Sequence, residues 1–86
     1  MGRLAGFRGR EVRRVAESLG WQLVRVRGDH FVYRKPGVPR NLSIPHQREV
    51  NEPLLSALVK EMGLSVDEFL AVARKWRTIG KGLRPA

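Results

Sequence analysis

The chain has 86 residues, of which 17 are lysine or arginine and 8 are aspartate or glutamate, so its formal net charge is +9. This length suits one small domain with a modest core, and the absence of cysteine excludes disulfides and thiolate metal sites. The excess of positive charge favours a polyanion, above all a nucleic acid, as the partner.

Membrane association and export are not indicated by the sequence. No apolar run approaches the roughly 20 residues that a membrane-spanning helix needs, and the first six residues contain no hydrophobic signal core. We therefore expect a cytoplasmic protein with no membrane partner.

Residues 9–20 predict an amphipathic helix. Apolar side chains recur at helical spacing at Val12, Val15, Ala16 and Leu19, and Gly20 suits the C-terminal end. The opposite side of this helix is charged, with Arg10, Arg13, Arg14 and Glu17.

Between Trp21 and Ile44 the apolar period changes to two, which predicts a three-stranded antiparallel meander. Gly28 and Asp29 form a two-residue hairpin loop with glycine first, as a type II′ turn favours, and residues 36–39 form the second connection. These turns predict four pairs: Arg27 with His30, Val26 with Phe31, Val24 with Tyr33, and His30 with Pro45.

This register separates the two faces of the sheet. The face that needs burial carries Val24, Val26, Phe31, Tyr33, Leu42 and Ile44. The other face carries Arg25, Arg27, His30, Arg34, Asn41 and Ser43, with Leu23 and Val32 as apolar exceptions. We refer to this second, basic face as the open face.

Two more helices follow the sheet. Asn51 is expected to cap a helix that runs through Met62 with Pro53 in its first turn, and Ser65 and Glu68 have the spacing of a capping box. The third helix has an apolar stripe of Val66, Phe69, Leu70, Ala73 and Trp76. We expect a flexible N-terminus over residues 1–8, a single domain over 9–76 and a flexible basic tail over 77–86.

The predicted fold is α+β, with the order α-β-β-β-α and an additional C-terminal helix. It is like the double-stranded-RNA-binding fold, in which helices cover one face of a three-stranded antiparallel sheet. The open face would then be the arginine-lined one, where a phosphate backbone could lie.

Several short segments carry a family resemblance: Gly20-Trp21 after the first helix, Leu23-Val24-Arg25, Gly28-Asp29-His30, the strand 31–35, Ser43-Ile44-Pro45, and Gly63-Leu64-Ser65 with Glu68-Phe69. Together, over roughly residues 7–73, they resemble the HicA (YcfA-like) mRNA interferase toxins. The resemblance implies a toxin of a type II toxin-antitoxin system that cleaves mRNA with a catalytic histidine, which maps onto His30. It also implies a HicB-like antitoxin as partner.

The chain departs from the family pattern at two places. Members usually have Gly-Ser-His where this chain has Asp29 in place of the serine, and Gly-Thr-Leu where it has Glu52-Pro53-Leu54. The first change adds a negative charge beside the histidine. The second removes a hydroxyl that could cap a helix or contact RNA.

The residue types around His30 suit RNA cleavage without a metal or cofactor. RNA supplies its own nucleophile, the 2′-OH, so the protein needs a base, an acid and cations around the phosphate. Arg27 is the first candidate for the phosphate, followed by Arg25 and Arg34. Asp29 either orients the imidazole or only suits the turn, and His46 either supplies the acid or forms loop hydrogen bonds.

Other functions for these side chains have less support. A metal site of Asp29, His30, His46 and Glu49 matches no zinc or two-metal spacing. Trp21 and Trp76 could stack bases, but each lies at a predicted core or helix-packing position, which favours a structural role. Three classes of function remain: a metal-independent endoribonuclease toxin, a non-catalytic RNA-binding domain that uses the open face, and an interaction protein for an acidic partner. The oligomeric state is not predicted.

Overall fold

The computed structural model describes residues 3–82, and for residues 77–82 it describes the backbone alone. The elements in chain order are α1 (Gly9–Ser18), β1 (Gln22–Arg27), β2 (His30–Arg34), β3 (Leu42–Pro45), α2 (Glu52–Glu61) and α3 (Val66–Gly82). The strands form one antiparallel sheet in the order β1, β2, β3. Helices α1 and α2 pack on β3, and α3 packs on both helices. The predicted α+β architecture is therefore confirmed.

The core lies between the sheet and the helices. Tyr33, Leu42 and Ile44 have no exposed surface, and they meet apolar side chains from all three helices. The helical contributions are Val12, Val15 and Ala16 from α1, Leu55, Leu58 and Val59 from α2, and Phe69, Leu70 and Ala73 from α3. The apolar stripes that the sequence predicts are the faces that the helices bury.

The core also includes the segment before α1. Leu4 and Phe7 are buried, and the Phe7 ring meets the Phe69 ring edge to face with centroids 5.2 Å apart. These residues fall inside the predicted flexible N-terminus, since the expected domain began at residue 9. At the other end, α3 continues to Gly82, which includes the first residues of the expected tail. Residues 83–86 of the expected tail lie outside the described residues.

The helix caps follow the sequence pattern. The Asn51 side-chain oxygen accepts a hydrogen bond from the Leu54 N–H at 2.9 Å. Ser65 and Glu68 form the reciprocal pair of a capping box, with distances of 2.8 and 3.1 Å. Because each cap satisfies N–H groups that the helix itself leaves unpaired, these bonds fix where α2 and α3 begin.

The strand register is confirmed at the hairpin and wrong farther along β1. The pairs Arg27 with His30, Val26 with Phe31, and His30 with Pro45 are all present. Tyr33, however, pairs with Leu23 and not with Val24, because a β-bulge between Leu23 and Arg25 inserts one extra residue into β1.

The predicted burial of Val24 and Val26 is also wrong. They are 49% and 52% exposed, and Leu23 is 45% exposed. The reason is that β1 is an edge strand that packs on β2, whereas the helices sit over β3. In the part of the chain that the structure describes, no helix has the length and hydropathy needed to span a bilayer.

Candidate functional site

The first hairpin sets the position of His30. Gly28 has a φ of +56°, a backbone conformation that glycine adopts readily, and Asp29 has a negative φ. This combination fits the type II′ turn expected for a two-residue loop with glycine first. The chain therefore reverses within two residues, and His30 becomes the first residue of β2, directly opposite Arg27.

The His30 side chain lies on the open face. It is exposed, and it pairs with Arg27 on one side and Pro45 on the other. Directly paired residues in adjacent strands project to the same face of a sheet. The imidazole thus stands between a guanidinium and a buried proline, where a phosphate and water can both reach it.

The open face also carries the other predicted cations. Arg25 pairs with Val32, which lies two positions from His30 and so faces the same side, and Arg34 lies two positions farther along β2. At a rise of about 3.3 Å per residue, the Cα atom of Arg34 is about 13 Å from that of His30. Of the three arginines, Arg27 is therefore the nearest to His30 in the strand pairing, and Arg34 lies at the opposite end of β2.

Val32 occupies the middle of this basic surface. It is only 8% exposed although it is not part of the core cluster. Its strand neighbours are Arg25 on β1 and Ser43 on β3. The long stem of an arginine can cover apolar surface while its charged head stays in water, and Arg25 is the arginine paired with Val32.

Asp29 has a structural role in the hairpin. Its backbone carbonyl accepts a hydrogen bond from the His46 N–H at 2.6 Å, which ties the hairpin to the end of β3. Among the side-chain hydrogen bonds of the described residues, none joins the Asp29 carboxylate to the His30 imidazole. The observed contact involves the turn backbone and not the carboxylate.

The structure brings the backbone of His46 close to the hairpin but directs its ring elsewhere. The imidazole is 5.5 Å from the Phe31 ring, centroid to centroid. Phe31 pairs with the fully buried Ile44 and follows His30 by one residue, so it projects to the helix-covered face. The two imidazoles are therefore directed to opposite faces of the sheet.

A polar network on the helix-covered side was not foreseen in the sequence. The Tyr33 hydroxyl donates to the Glu17 carboxylate at 2.6 Å and accepts from the Arg13 Nε at 3.0 Å. The Arg13 guanidinium also stacks over the Phe31 ring, 3.6 Å from its centroid. Arg13 and Glu17 are four residues apart on α1, a visible spacing, but only the tertiary fold brings β2 against that side of the helix.

Burial raises the pKa of Tyr33 above its ordinary value, and the hydrogen bond to Glu17 raises it further. Arg13 opposes this shift, because a guanidinium favours a negatively charged phenolate. The phenol therefore stays protonated and keeps donating to Glu17 well into the alkaline range. The network holds α1 to β2 next to the ring on which His46 packs.

A resident metal has no ready-made site in the described part of the chain. No group of three or more histidine, aspartate or glutamate side chains there is arranged to hold a metal ion. What the open face does present is one imidazole and several guanidinium groups. Such a set can transfer a proton and bind a phosphodiester.

Comparison with known proteins adds the family. A family model described as the HicA toxin of bacterial toxin-antitoxin matches residues 9–64, well over half of the chain. The match includes α1, the whole sheet and α2, and it ends before α3. No curated protein matches the chain.

Proposed function

The chain belongs to the HicA toxin family of bacterial toxin-antitoxin systems, and from this membership we propose that it is an endoribonuclease that cleaves mRNA with His30 as its catalytic group and without a metal. The observation that carries the proposal is the exposed imidazole of His30 on the open face, directly opposite Arg27 in the pairing of β1 with β2. An acid-base group next to a phosphate-binding cation is the minimum that RNA cleavage needs, because the substrate brings its own nucleophile.

An acid-base group and a phosphate-binding cation are sufficient for the following reaction. The 2′-oxygen of RNA attacks the adjacent phosphorus, and the bond from phosphorus to the 5′-oxygen breaks. The products are a 2′,3′-cyclic phosphate and a free 5′-hydroxyl. His30 accepts the proton from the 2′-OH, and the leaving 5′-oxygen takes a proton from solvent. We assign this second proton to solvent because the His46 ring lies against Phe31.

The arginines act on the phosphate and not on the protons. The phosphorane-like transition state carries more negative charge on its oxygens than the substrate does, and a guanidinium held beside it lowers the barrier. Arg27 is assigned to the scissile phosphate and Arg25 to its neighbour. Arg34 is assigned to a phosphate farther along the strand, because it lies at the other end of β2.

The partner of a toxin in such a pair is an antitoxin. We propose a HicB-like protein that covers the open face in the cytoplasm, where mRNA is present. Its surface would be acidic, since the chain carries a net charge of +9 and complementary charge speeds association. In this assignment the antitoxin blocks the phosphate site directly.

A second candidate function is RNA binding without cleavage. It is favoured by one observation: no hydrogen bond from another described side chain orients the His30 ring, whereas general bases in known enzymes are commonly held by a third group. In this alternative the same open face binds the RNA backbone, and His30 contributes only a hydrogen bond.

The deciding experiment is cleavage of a long single-stranded RNA by the purified protein with EDTA present throughout. His30→Ala is expected to lower the cleavage rate by about 10²- to 10⁴-fold, the usual contribution of a general base. His46→Ala is the matched control, because it removes the other histidine, and it should retain most of the activity. Both variants should melt close to the native temperature, since both side chains are exposed.

Other outcomes would contradict the proposal in different ways. Equal cleavage by the native protein and His30→Ala would mean another active site or a contaminating nuclease. If neither cleaves while RNA is still bound, the second candidate function is the correct one. Identification of the product ends tests the mechanism separately, because attack by water instead of the 2′-OH would leave no cyclic phosphate.

A further inference from the structure

A cavity lies between the N-terminal half of α1 and α3, away from the open face. Its volume is about 390 Å³, within the range of about 300–1,000 Å³ that is typical of small-ligand pockets. Three arginines and a tryptophan dominate its lining, which consists of Gly6, Arg8, Arg10, Glu11, Arg14, Ala73 and Trp76. One wall thus comes from α3, which lies beyond the residues that the family model matches.

The charge of this cavity favours an anion. Three arginines stand against one carboxylate, and the Glu11 carboxylate accepts a hydrogen bond from the Arg8 backbone N–H at 2.9 Å. This bond ties the Glu11 carboxylate to the first turn of α1, and the three guanidinium groups still outnumber it. The side chains of Arg8, Arg10 and Arg14 are exposed. A guanidinium binds a phosphate through two parallel hydrogen bonds, so each of them is a candidate phosphate ligand.

Trp76 gives the cavity a flat apolar surface. Its side chain is partly exposed, whereas Trp21, the other tryptophan, is only 4% exposed. The Arg14 guanidinium lies 5.7 Å from the centre of the Trp76 ring. An aromatic ring beside a guanidinium is the combination on which single-stranded nucleic acids stack their bases. An acidic peptide could use the arginines, but it would leave the indole without a partner of matching shape.

A second depression adjoins the cavity on the side of β3. Arg8 and Arg10 also line this depression of about 220 Å³, together with His46, Gln47 and Arg48. The start of α1 is held against this segment, because the Gly9 N–H donates to the Gln47 carbonyl at 2.8 Å. The His46 N–H in turn bonds to the Asp29 carbonyl, one residue before His30. A basic path therefore runs from Trp76 past α1 to the segment that follows β3, whose backbone is hydrogen-bonded to the hairpin.

We propose that this path is a subsite for single-stranded RNA: a nucleobase stacks on Trp76 in the cavity between α1 and α3, and the flanking phosphates bind Arg8 and Arg10. The inference rests on the proposed function in one respect, namely that the bound RNA continues from this subsite to His30. The subsite extends the RNA-binding surface with residues from α3. It would thereby determine from which side the RNA approaches His30.

The test measures the affinity of a fluorescently labelled single-stranded RNA oligonucleotide for the full chain by anisotropy. All proteins carry His30→Ala so that cleavage does not interfere. Trp76→Leu keeps an apolar side chain but removes the stacking surface, and it should weaken binding by roughly 5- to 150-fold, the range for loss of one stacked base. Binding should also quench the fluorescence of Trp76 in the parent and not in this variant.

Charge is tested with a matched pair. Arg10→Gln and Arg40→Gln each remove one exposed guanidinium, but Arg40 lies beside Trp21 at a different depression. Arg10→Gln should weaken RNA binding several-fold more than Arg40→Gln does. This pair keeps the proposal falsifiable if Trp76→Leu fails to fold, which circular dichroism and melting would reveal.

Several results would overturn the subsite. The proposal would be wrong if a folded Trp76→Leu protein bound RNA with unchanged affinity. It would also be wrong if the two arginine variants lost equal amounts of RNA affinity. Unchanged RNA affinity with weaker binding of an acidic antitoxin would assign the groove to that protein instead. A failure of the proposed function would give a different result. RNA binding would still depend on Trp76, but the native protein, which retains His30, would not cleave RNA.

Discussion

Tyr33 is the residue at which burial, hydrogen bonding and charge meet. It is the only tyrosine in the chain, its side chain has no exposed surface, and its hydroxyl joins Glu17 and Arg13 of α1. A buried hydroxyl that loses its partners costs more than a hydrogen bond gains, because it cannot turn to water. The phenol is therefore a point where one atom connects α1 to the sheet.

The raised pKa of Tyr33 predicts how stability changes with pH. Because the folded phenol has a higher pKa than a free one, the unfolded chain releases its proton first as the pH rises. The stabilisation is fully present below about pH 10, where free tyrosine titrates, and is lost as the pH rises through the folded pKa. Tyr33→Phe should reduce this alkaline loss, measured as the free energy of unfolding in urea at a series of pH values.

The same variant should lower the free energy of unfolding at neutral pH by about 0.5–1.5 kcal/mol, the net contribution of a typical hydrogen bond. Glu17→Gln is its control, since it keeps an acceptor but removes the charge that adds to the effect of burial on the pKa of Tyr33. Absorbance of the single phenolate should then titrate at a lower pH than in the native protein. A native phenol that titrates like free tyrosine would contradict this account.

At the residue scale, the sequence predicts the position of His30 and not the surroundings of His46. The hairpin residues Gly28 and Asp29 determine a local register, so the pairs of His30 follow from a few neighbouring residues. The direction of the His46 ring depends on Phe31 and on α1, which are distant in sequence. No local pattern encodes that arrangement.

The start of α1 is packed unusually closely against the end of β3. A Cβ atom added to Gly9 would lie 2.2 Å from the Pro45 carbonyl oxygen and 3.0 Å from the Gln47 nitrogen. Both are backbone atoms, which cannot rotate away. Gly9 is in helical conformation, so its importance here is the lack of a side chain and not its backbone freedom.

Gly9→Ala should therefore destabilise the protein although alanine is the better helix former. In open helix positions this change gains about 0.5–1 kcal/mol, whereas forcing an extra methyl into packed structure costs about 1–3 kcal/mol. The expected result is a lower melting temperature by thermal unfolding. Arg10→Ala, one residue along and exposed, is the control and should melt at or above the native temperature. An unchanged or higher melting temperature in Gly9→Ala would show that the two segments can separate freely.

At the scale of elements, the burial of the edge strand β1 is the feature that the sequence does not predict. Alternating apolar residues predict a strand with one buried face, and they do form a strand. Alternation cannot show whether a helix covers that face, because the position of each helix depends on the whole packing. Leu23, Val24 and Val26 remain about half exposed for this reason. The bulge is likewise invisible, since no glycine or proline marks it.

The helices are more predictable than the edge strand. Each cap depends on residues three apart, Asn51 with Leu54 and Ser65 with Glu68. Such caps depend on neighbouring residues and not on the tertiary arrangement, so they can be predicted from the sequence. Glycine lowers helix propensity without forbidding a helix, and α3 accordingly continues to Gly82.

At the scale of the whole molecule, the net charge predicts how the proposed RNA binding should respond to salt. The net charge of +9 implies binding by release of counterions, so the logarithm of affinity should fall linearly with the logarithm of salt concentration. Each phosphate contact on a single strand contributes about 0.7 to this slope. In the His30→Ala background, Arg27→Gln should reduce the slope by about that amount, and Arg40→Gln should leave it nearly unchanged. A slope near zero in the parent would mean that the arginines do not contact phosphates.

The segment before α1 packs against the first part of α3, and this contact bears on how the chain folds during synthesis. Leu4 and Phe7 bury themselves beside α3, and Phe7 meets Phe69 across 62 positions of sequence. On the ribosome, the first of these side chains is made long before its partner. The core therefore closes only after α3 has emerged, and α1 and the sheet exist for a time without that cover. A partner protein already present in the cell would thus meet the nascent chain before the fold is complete.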